Sequence, residues 1–297
     1  MKKLIANTVA DLLQPAMFKK YAVSFLLIAA TCFLNYSTSF SFWLRNVAFS
    51  HALVWYSLLF FFFFTAGFLI QNGKELFQKK QVQFILIAGS ILFALKVAMP
   101  FHKLFPDSIG TNYQKAFQQP MNWFGALLVM LPLLMLMHWL LEKKWTLFGI
   151  KQKQSLKAYV LLIAFMLPLL IWASLQHDFS LVYPKAAIVG RQLGSEANPF
   201  HYLAFETAYA ADFFTIEFFF RGFLILALSK LIGKQCLLPV ALFYFSIHLG
   251  KPMMEAVSSF FGGLILGSIS YHSKSIWGGL LVHISIALFM ELFGFIF

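Results

Sequence analysis

Long apolar runs alternate with short polar segments along the whole chain. A helix of about 20 apolar residues spans a bilayer, and runs of that kind recur throughout the sequence. Near the end, two runs are separated only by the stretch LGKP, whose Pro252 favours a helix start. The pattern predicts about nine spanning helices, or eight if one run is re-entrant or interfacial. They cover residues 21–43, 50–71, 82–100, 120–141, 157–176, 203–229, 235–250, 252–271 and 275–296.

The composition agrees with a membrane protein and excludes a soluble domain. Hydrophobic residues make up 60% of the chain and charged residues only 11%, whereas soluble domains carry about 25% charged residues. A soluble protein of this length has no interior large enough to hide so much apolar surface. The fold class predicted is therefore all-α, a polytopic transmembrane helical bundle.

The net charge of +12 raises the question of nucleic acid, but the positions of the basic residues favour membrane topology. Lys2, Lys3, Lys19 and Lys20 precede the first predicted span, and cytoplasmic segments of membrane proteins are enriched in Lys and Arg. With the N-terminus inside, most basic residues between the spans also fall on the cytoplasmic side. The sequence therefore predicts a cytoplasmic N-terminus, membrane lipids as partners and no nucleic acid.

A polar stretch at 177–202 separates two parts of the chain that differ in the polarity of their spans. The part before it, residues 1–200, is mostly apolar within its spans, and we interpret it as N-terminal scaffold helices. The part after it, residues 203–297, carries several ionisable residues inside predicted spans. We therefore expect the functional core in residues 203–297.

Ionisable residues inside a membrane are costly and usually mark a functional site. Three helices bring such residues to similar depths. At about 1.5 Å per residue from the inner helix ends, Glu217 and His248 lie about 20 Å deep and His283 about 14 Å deep. The sequence therefore predicts that these side chains meet near the membrane midplane. The helix of Glu217 also carries Glu206, Asp212 and Arg221.

Two kinds of hydrolytic chemistry fit these residue types. A carboxylate beside a histidine deprotonates a water molecule, and a second histidine stabilises the oxyanion that develops. Alternatively, His248 and His283 hold a divalent metal such as zinc together with a carboxylate, although no HExxH signature supports the metal. A third reading is purely structural, because Glu217 and Arg221 at i,i+4 can form a simple clamp.

The order and spacing of these residues carry a resemblance to a known family. The stretches IEFFFR at 216–221, YFSIH at 244–248 and HISIA at 283–287 resemble the EExxxR, FxxxH and HxxxN motifs of the CPBP (CAAX protease and bacteriocin-processing) intramembrane proteases, of the prenyl-protein endopeptidase, Ras-converting type. The resemblance implies an endopeptidase acting on a membrane-associated or prenylated protein. It also implies a bacterial plasma membrane location, a water-activating role for His248 and an oxyanion role for His283.

This chain departs from the family pattern at three positions. Ile216 stands where the water-activating glutamate is expected, Ala287 replaces the asparagine that partners the last histidine, and Tyr244 replaces phenylalanine. Either another carboxylate serves as base, with Glu217 or Asp212 as candidates, or the protein is inactive. An inactive protein would be a scaffold that binds membrane peptides or partners. A small proton-coupled transporter is a further alternative.

Overall fold

The computed structural model of this chain describes residues 2–71, 77–105, 110–143, 149–150 and 157–297. Every regular element in these ranges is helical. The elements are α1 (Lys2–Leu12), α2 (Pro15–Thr38), α3 (Phe40–Asn46), α4 (Phe49–Ile70), α5 (Lys80–Ala98), α6 (Thr111–Glu142), α7 (Lys157–Ser174), α8 (His177–Ser180), α9 (Ala187–Leu193), α10 (Pro199–Glu217), a π-helix (Phe218–Ile225), α11 (Leu226–Ile232), α12 (Leu237–Ser246), α13 (Met253–Ser273) and α14 (Trp277–Ile296), with short 3-10 turns at Phe101–Leu104, Gly194–Glu196 and Gly233–Cys236.

The described helices confirm the predicted all-α polytopic bundle. Seven helical stretches are long and apolar enough to cross a membrane: Pro15–Thr38, Phe49–Ile70, Lys80–Ala98, Thr111–Leu141, Pro199–Ser246, Met253–Ser273 and Trp277–Ile296. A shorter apolar helix covers Tyr159–Ser174. The helix predicted at 120–141 begins earlier than expected, at Thr111.

The stretch Pro199–Ser246 contains two of the predicted spans, because the chain reverses direction within it. Gly233 adopts a positive φ of 58°, a conformation that glycine reaches without steric cost. On either side of this turn, Cys236 contacts the backbone of Ile225, and the rings of Phe220 and Tyr244 lie 5.0 Å apart. The two arms are therefore antiparallel. The second arm, α12, has only 10 residues, or about 15 Å, so it is shorter than a bilayer crossing.

The first arm differs from the prediction of one continuous α-helix over 203–229. Residues Phe218–Ile225 form a π-helix of 8 residues between α10 and α11, and all of them are buried. Its phenylalanines pack against other helices, with the ring of Phe93 in α5 lying 4.9 Å from Phe219 and 5.1 Å from Phe220. Mid-helix π segments are rare and frequently occur at functional sites. Here the segment begins directly after Glu217.

The short helix α12 lies at the centre of the bundle. It packs against α4 on one side and α13 on the other. Two glycines permit this close approach: a Cβ on Gly67 of α4 would collide with Pro239, and a Cβ on Gly263 of α13 would lie 3.2 Å from the backbone of Ala241. The resulting core mixes residues from α4 and α5 with the π-helix and α12. The scaffold helices therefore support the C-terminal part directly.

Candidate functional site

Glu217 is the last residue of α10 and is fully buried, with 0% of its side chain exposed. Its Oε1 atom lies 3.0 Å from Nη1 of Arg221, whose side chain is 2% exposed. A buried carboxylate and guanidinium stabilise one another only when they stay paired. Arg221 also lies over the ring of Tyr244, with Cζ 4.3 Å from the ring centroid, a cation–π distance.

His283 connects this ion pair to two further helices. Its Nδ1 lies 3.0 Å from Oε1 of Glu217, and its Nε2 lies 3.1 Å from the hydroxyl of Tyr244. A carboxylate accepts hydrogen bonds and cannot donate them, so Nδ1 carries the proton and Nε2 accepts from the tyrosine hydroxyl. α10, α12 and α14 thus meet in one hydrogen-bonded chain.

His248 is the second residue after α12 and adjoins these hydrogen-bonded side chains. Its Nδ1 lies 2.8 Å from the backbone carbonyl of Tyr244, and the two rings lie 4.7 Å apart. The carbonyl accepts, so Nδ1 donates and the lone pair is on Nε2. Within the described part of the chain, that nitrogen has no hydrogen-bond partner. We refer to Glu217, Arg221, Tyr244, His248 and His283 as the histidine cluster.

Ile216 and Ala287 stand where the family motifs have polar residues, and they lie together beside the histidine cluster. Ile216 and Ala287 both belong to an apolar group with Tyr209, Phe213 and Leu280. The ring of Phe213 lies 4.4 Å from that of His283. Ile216 and Ala287 therefore give His283 no polar partner, and the ring of Phe213 supplies an apolar contact.

The other two candidate carboxylates lie outside the hydrogen-bonded chain. Asp212 is buried, and its Oδ1 lies 2.7 Å from Nζ of Lys96 in α5. Glu206 lies further toward the start of α10, and its Oε2 has no hydrogen-bond partner among the described residues. The structure therefore brings Glu217, Tyr244 and His283 into direct contact, with His248 adjoining them, and pairs Asp212 with a lysine of the scaffold helices.

A metal site does not fit this arrangement. Both ring nitrogens of His283 are occupied, by Glu217 and by Tyr244. In the described ranges, no group of three or more His, Cys, Asp or Glu side chains is placed to hold a metal ion. A metal held by His248 and His283 would require His283 to give up one of its present partners.

A second polar cluster lies beside the first and was missed by the sequence analysis. It joins the connection between α8 and α9 to three helices. Glu291 of α14 accepts hydrogen bonds from the backbone N–H groups of Lys185 and Ala186, both at 3.0 Å. We call this the lysine cluster, and its side chains are those of Tyr183, Lys185, Tyr209, Lys251, Glu255 and Glu291.

The lysine cluster contains two lysines with different partners. Lys251 pairs with Glu255 at 3.0 Å, and Glu255 also accepts from the hydroxyl of Tyr183 at 3.1 Å. Lys185 contacts the hydroxyl of Tyr209 at 2.7 Å. Burial, together with the positive charge of Lys251, lowers the pKa of Lys185 to about 7. The sequence signal for this cluster was Glu291, an ionisable residue within the last predicted span.

The seven apolar helical stretches define a multi-pass membrane protein, and its buried centre pairs a glutamate with a histidine. Comparison with known proteins finds one similar family. Residues 199–289 match the model of the Rce1-like family, described as type II CAAX prenyl endopeptidase Rce1-like. The match supports the resemblance to the CAAX proteases that the motifs predicted for this C-terminal part. No curated protein and no solved structure matched the chain.

Proposed function

We propose that this protein is an intramembrane endopeptidase that hydrolyses a peptide bond of a membrane-associated or prenylated protein. The observation that carries the proposal is the chain of contacts from Arg221 through Glu217 to His283, buried among helices long and apolar enough to span a membrane. The family match covers the same residues. The proposal includes a bacterial plasma membrane location with a cytoplasmic N-terminus, which follows from the resemblance and the distribution of basic residues.

The proposed reaction uses a water molecule as the nucleophile. The free lone pair on Nε2 of His248 and the unpartnered Oε2 of Glu217 are the two groups suited to accept the water proton. The water oxygen attacks the carbonyl carbon of the scissile peptide, and an oxyanion forms. For His283 to donate to this oxyanion, its ring would have to be protonated and Nε2 would have to exchange the Tyr244 hydroxyl for the oxyanion. The C–N bond then breaks, and the proton passes to the leaving amine.

Glu217 is the preferred carboxylate base, and Asp212 is the substitute. Glu217 contacts His283 directly, whereas the carboxylate of Asp212 is held by Lys96 at 2.7 Å. The ion pair with Lys96 holds the carboxylate of Asp212 in place. For Asp212 to act as base, it would have to leave Lys96.

The proposal is tested by peptide cleavage with purified protein in lipid vesicles. We expect Glu217→Gln and His248→Ala each to reduce the rate by about 100-fold or more, the usual range for loss of a general base. Asp212→Asn should reduce it less. Glu196→Gln, the same chemical change at an exposed position, is the matched control and should cleave at the wild-type rate. Unchanged cleavage by all three site variants would refute the proposal.

A non-catalytic scaffold that binds membrane peptides is the second candidate. The observation in its favour is the apolar group that contains Ile216 and Ala287, where the family pattern has polar residues. If this candidate is correct, wild-type protein binds a prenylated peptide without cleaving it, and Ile216→Glu produces cleavage. Nothing in the described part of the chain favours the third alternative, a proton-coupled transporter.

A further inference from the structure

Two departures from the family pattern lie near the same imidazole ring. Ala287 lies one helical turn after His283 in α14, is 3% exposed, and has no polar side-chain atom. Tyr244 is 4% exposed and places its hydroxyl 3.1 Å from Nε2 of His283. The chain thus lacks an amide at 287 and has a hydroxyl, absent from phenylalanine, on Nε2 of His283.

Three further contacts fix the position of Tyr244. Its ring lies under the guanidinium of Arg221, with Cζ 4.3 Å from the centroid, and 5.0 Å from the ring of Phe220 in the π-helix. Its backbone carbonyl accepts from Nδ1 of His248. Tyr244 is therefore the one residue of the histidine cluster that contacts both histidines.

We propose that Tyr244 is a positioning residue for the hydrolysis, and that its hydroxyl replaces the polar partner lost at Ala287. This inference rests on the proposed endopeptidase function. Donation from the hydroxyl to Nε2 fixes the tautomer of His283 with its proton on Nδ1, directed at Glu217. When the imidazole is protonated, Nε2–H donates back to the same oxygen, so the ring keeps its orientation in both states.

A purely structural role for Tyr244 predicts different behaviour. The phenyl ring alone supplies the contacts with Arg221 and Phe220, so Tyr244→Phe would then preserve both the fold and the rate. In the positioning role, the same substitution removes one oxygen atom and leaves Nε2 without a partner. Partners that orient a catalytic or metal-bound histidine typically contribute about 10-fold to 100-fold in activity.

The test compares Tyr244→Phe with the double variant Tyr244→Phe/Ala287→Asn. An asparagine at 287 is four residues from His283, so its amide lies on the same face of α14. We expect Tyr244→Phe to reduce kcat by about 10-fold to 100-fold with little change in KM. The double variant should recover most of that loss. Tyr56→Phe, a partly buried tyrosine in α4, is the control and should leave kcat unchanged.

A second measurement is independent of catalysis. Nitrogen NMR of histidine-labelled protein, without substrate, reports which ring nitrogen of His283 carries the proton. We expect Tyr244→Phe to shift the Nε2 signal and the double variant to shift it back. An unchanged Nε2 signal and unchanged kcat in Tyr244→Phe would overturn the inference, as would a double variant that behaves like Tyr244→Phe in both measurements.

The two measurements separate this inference from the proposed function. If wild-type protein cleaves peptides and Tyr244→Phe behaves like wild type, the positioning role fails and the endopeptidase function stands. If wild-type protein cleaves nothing, the endopeptidase function fails, and with it the catalytic role of Tyr244. A shifted Nε2 signal in Tyr244→Phe would then show that the hydrogen bond exists without serving hydrolysis.

Discussion

The histidine cluster and the lysine cluster place buried charges in two different ways. In the histidine cluster, Glu217 and Arg221 come from adjacent turns of one helix and are 3.0 Å apart. In the lysine cluster, Glu291 holds the backbone of the connection before α9, and Lys251 pairs with Glu255. Each cluster contains an i,i+4 ion pair. The histidine cluster joins helices to one another, whereas the lysine cluster also joins helices to the connecting segment before α9.

Helix α14 contributes to both clusters. His283 and Glu291 are eight residues apart on it, about 12 Å along the axis. A row of aromatic rings also connects the clusters, with Tyr209 lying 4.7 Å from Phe213 and Phe213 lying 4.4 Å from His283. The comparison suggests a division of roles: the histidine cluster carries the chemistry, and the lysine cluster fixes the α8–α9 connection to the helices that carry it.

The largest expected effect concerns the ion pair of the histidine cluster. We expect Arg221→Met to lower the free energy of unfolding by about 3–5 kcal/mol, because it leaves the Glu217 carboxylate buried without its cation. The double variant Glu217→Met/Arg221→Met should recover much of this stability. Denaturation in detergent measures both, with Arg191→Met at an exposed position as control. A loss below about 1 kcal/mol in Arg221→Met would contradict the account.

Two glycines of α14 allow each cluster to be disturbed separately. A Cβ on Gly279 would lie 2.5 Å from Oε2 of Glu217, whereas a Cβ on Gly294 would lie 2.6 Å from the backbone nitrogen of Pro184. We expect Gly279→Ala to impair cleavage by displacing the carboxylate. We expect Gly294→Ala to destabilise the fold by about 1–3 kcal/mol, the usual cost of overpacking.

Gly262→Ala provides the control for both glycine variants, since a Cβ there meets no atom within 4 Å. It should retain activity, and its stability should equal or exceed that of wild type because alanine favours helices. Cleavage rates and unfolding midpoints of the three variants are measured side by side. If Gly279→Ala and Gly262→Ala cleave equally well, the position of the Glu217 carboxylate does not matter for activity.

The next effect concerns the two acceptor atoms of Glu291. Oε1 accepts from the N–H of Lys185 and Oε2 from the N–H of Ala186. Glu291→Gln keeps one oxygen acceptor and turns an NH2 donor toward the other N–H. A buried N–H without an acceptor costs about 1–3 kcal/mol, so we expect a loss of that size. Thermal unfolding checks this, with Glu196→Gln as the exposed counterpart. Equal stability of the two variants would mean that the carboxylate at 291 does not hold this connection.

A pH dependence of stability is expected from Lys185. Because burial lowers its pKa to about 7, the unfolded chain binds a proton between about pH 7 and pH 10.5 that the folded chain does not. The free energy of unfolding therefore rises with pH across this window, and it falls again as the pH is lowered toward 7. Lys185→Met should flatten the rise, whereas Lys103→Met, at an exposed lysine, should not. Identical slopes in wild type and Lys185→Met would refute the assignment.

The sequence predicted the histidine cluster better than the rest of the site because its residues sit at motif spacings on three helices. Their predicted depths put Glu217 and His283 at similar levels, and the structure places them in contact. The π-helix could not be predicted, since the run FFFRGFLI carries no pattern that separates π from α geometry. Nor could the pairing of Asp212 with Lys96, which depends on how α5 packs against α10.

The lysine cluster shows the limit of motif reasoning in a different way. Its six side chains come from the α8–α9 connection, the α12–α13 turn and three helices, so no spacing in the sequence joins them. Glu291 was nevertheless detectable as a carboxylate in an apolar helix, and the cost of burying it implies partners. Those partners are two backbone N–H groups. They could not be identified from the sequence, because they depend on how the connection folds.

If the Glu217–His283 pair supports hydrolysis of a peptide bond, the oxygen of a water molecule enters the new carboxylate. This is measured by mass spectrometry of a prenylated peptide incubated with the vesicle-reconstituted protein in oxygen-labelled water. We expect wild-type protein to cleave the peptide and to place the labelled oxygen in the new carboxylate, and we expect His283→Ala, equally folded, to be slower by about 100-fold or more. Cleavage by His283→Ala at the wild-type rate, or no cleavage by folded wild-type protein, would contradict this role of the pair.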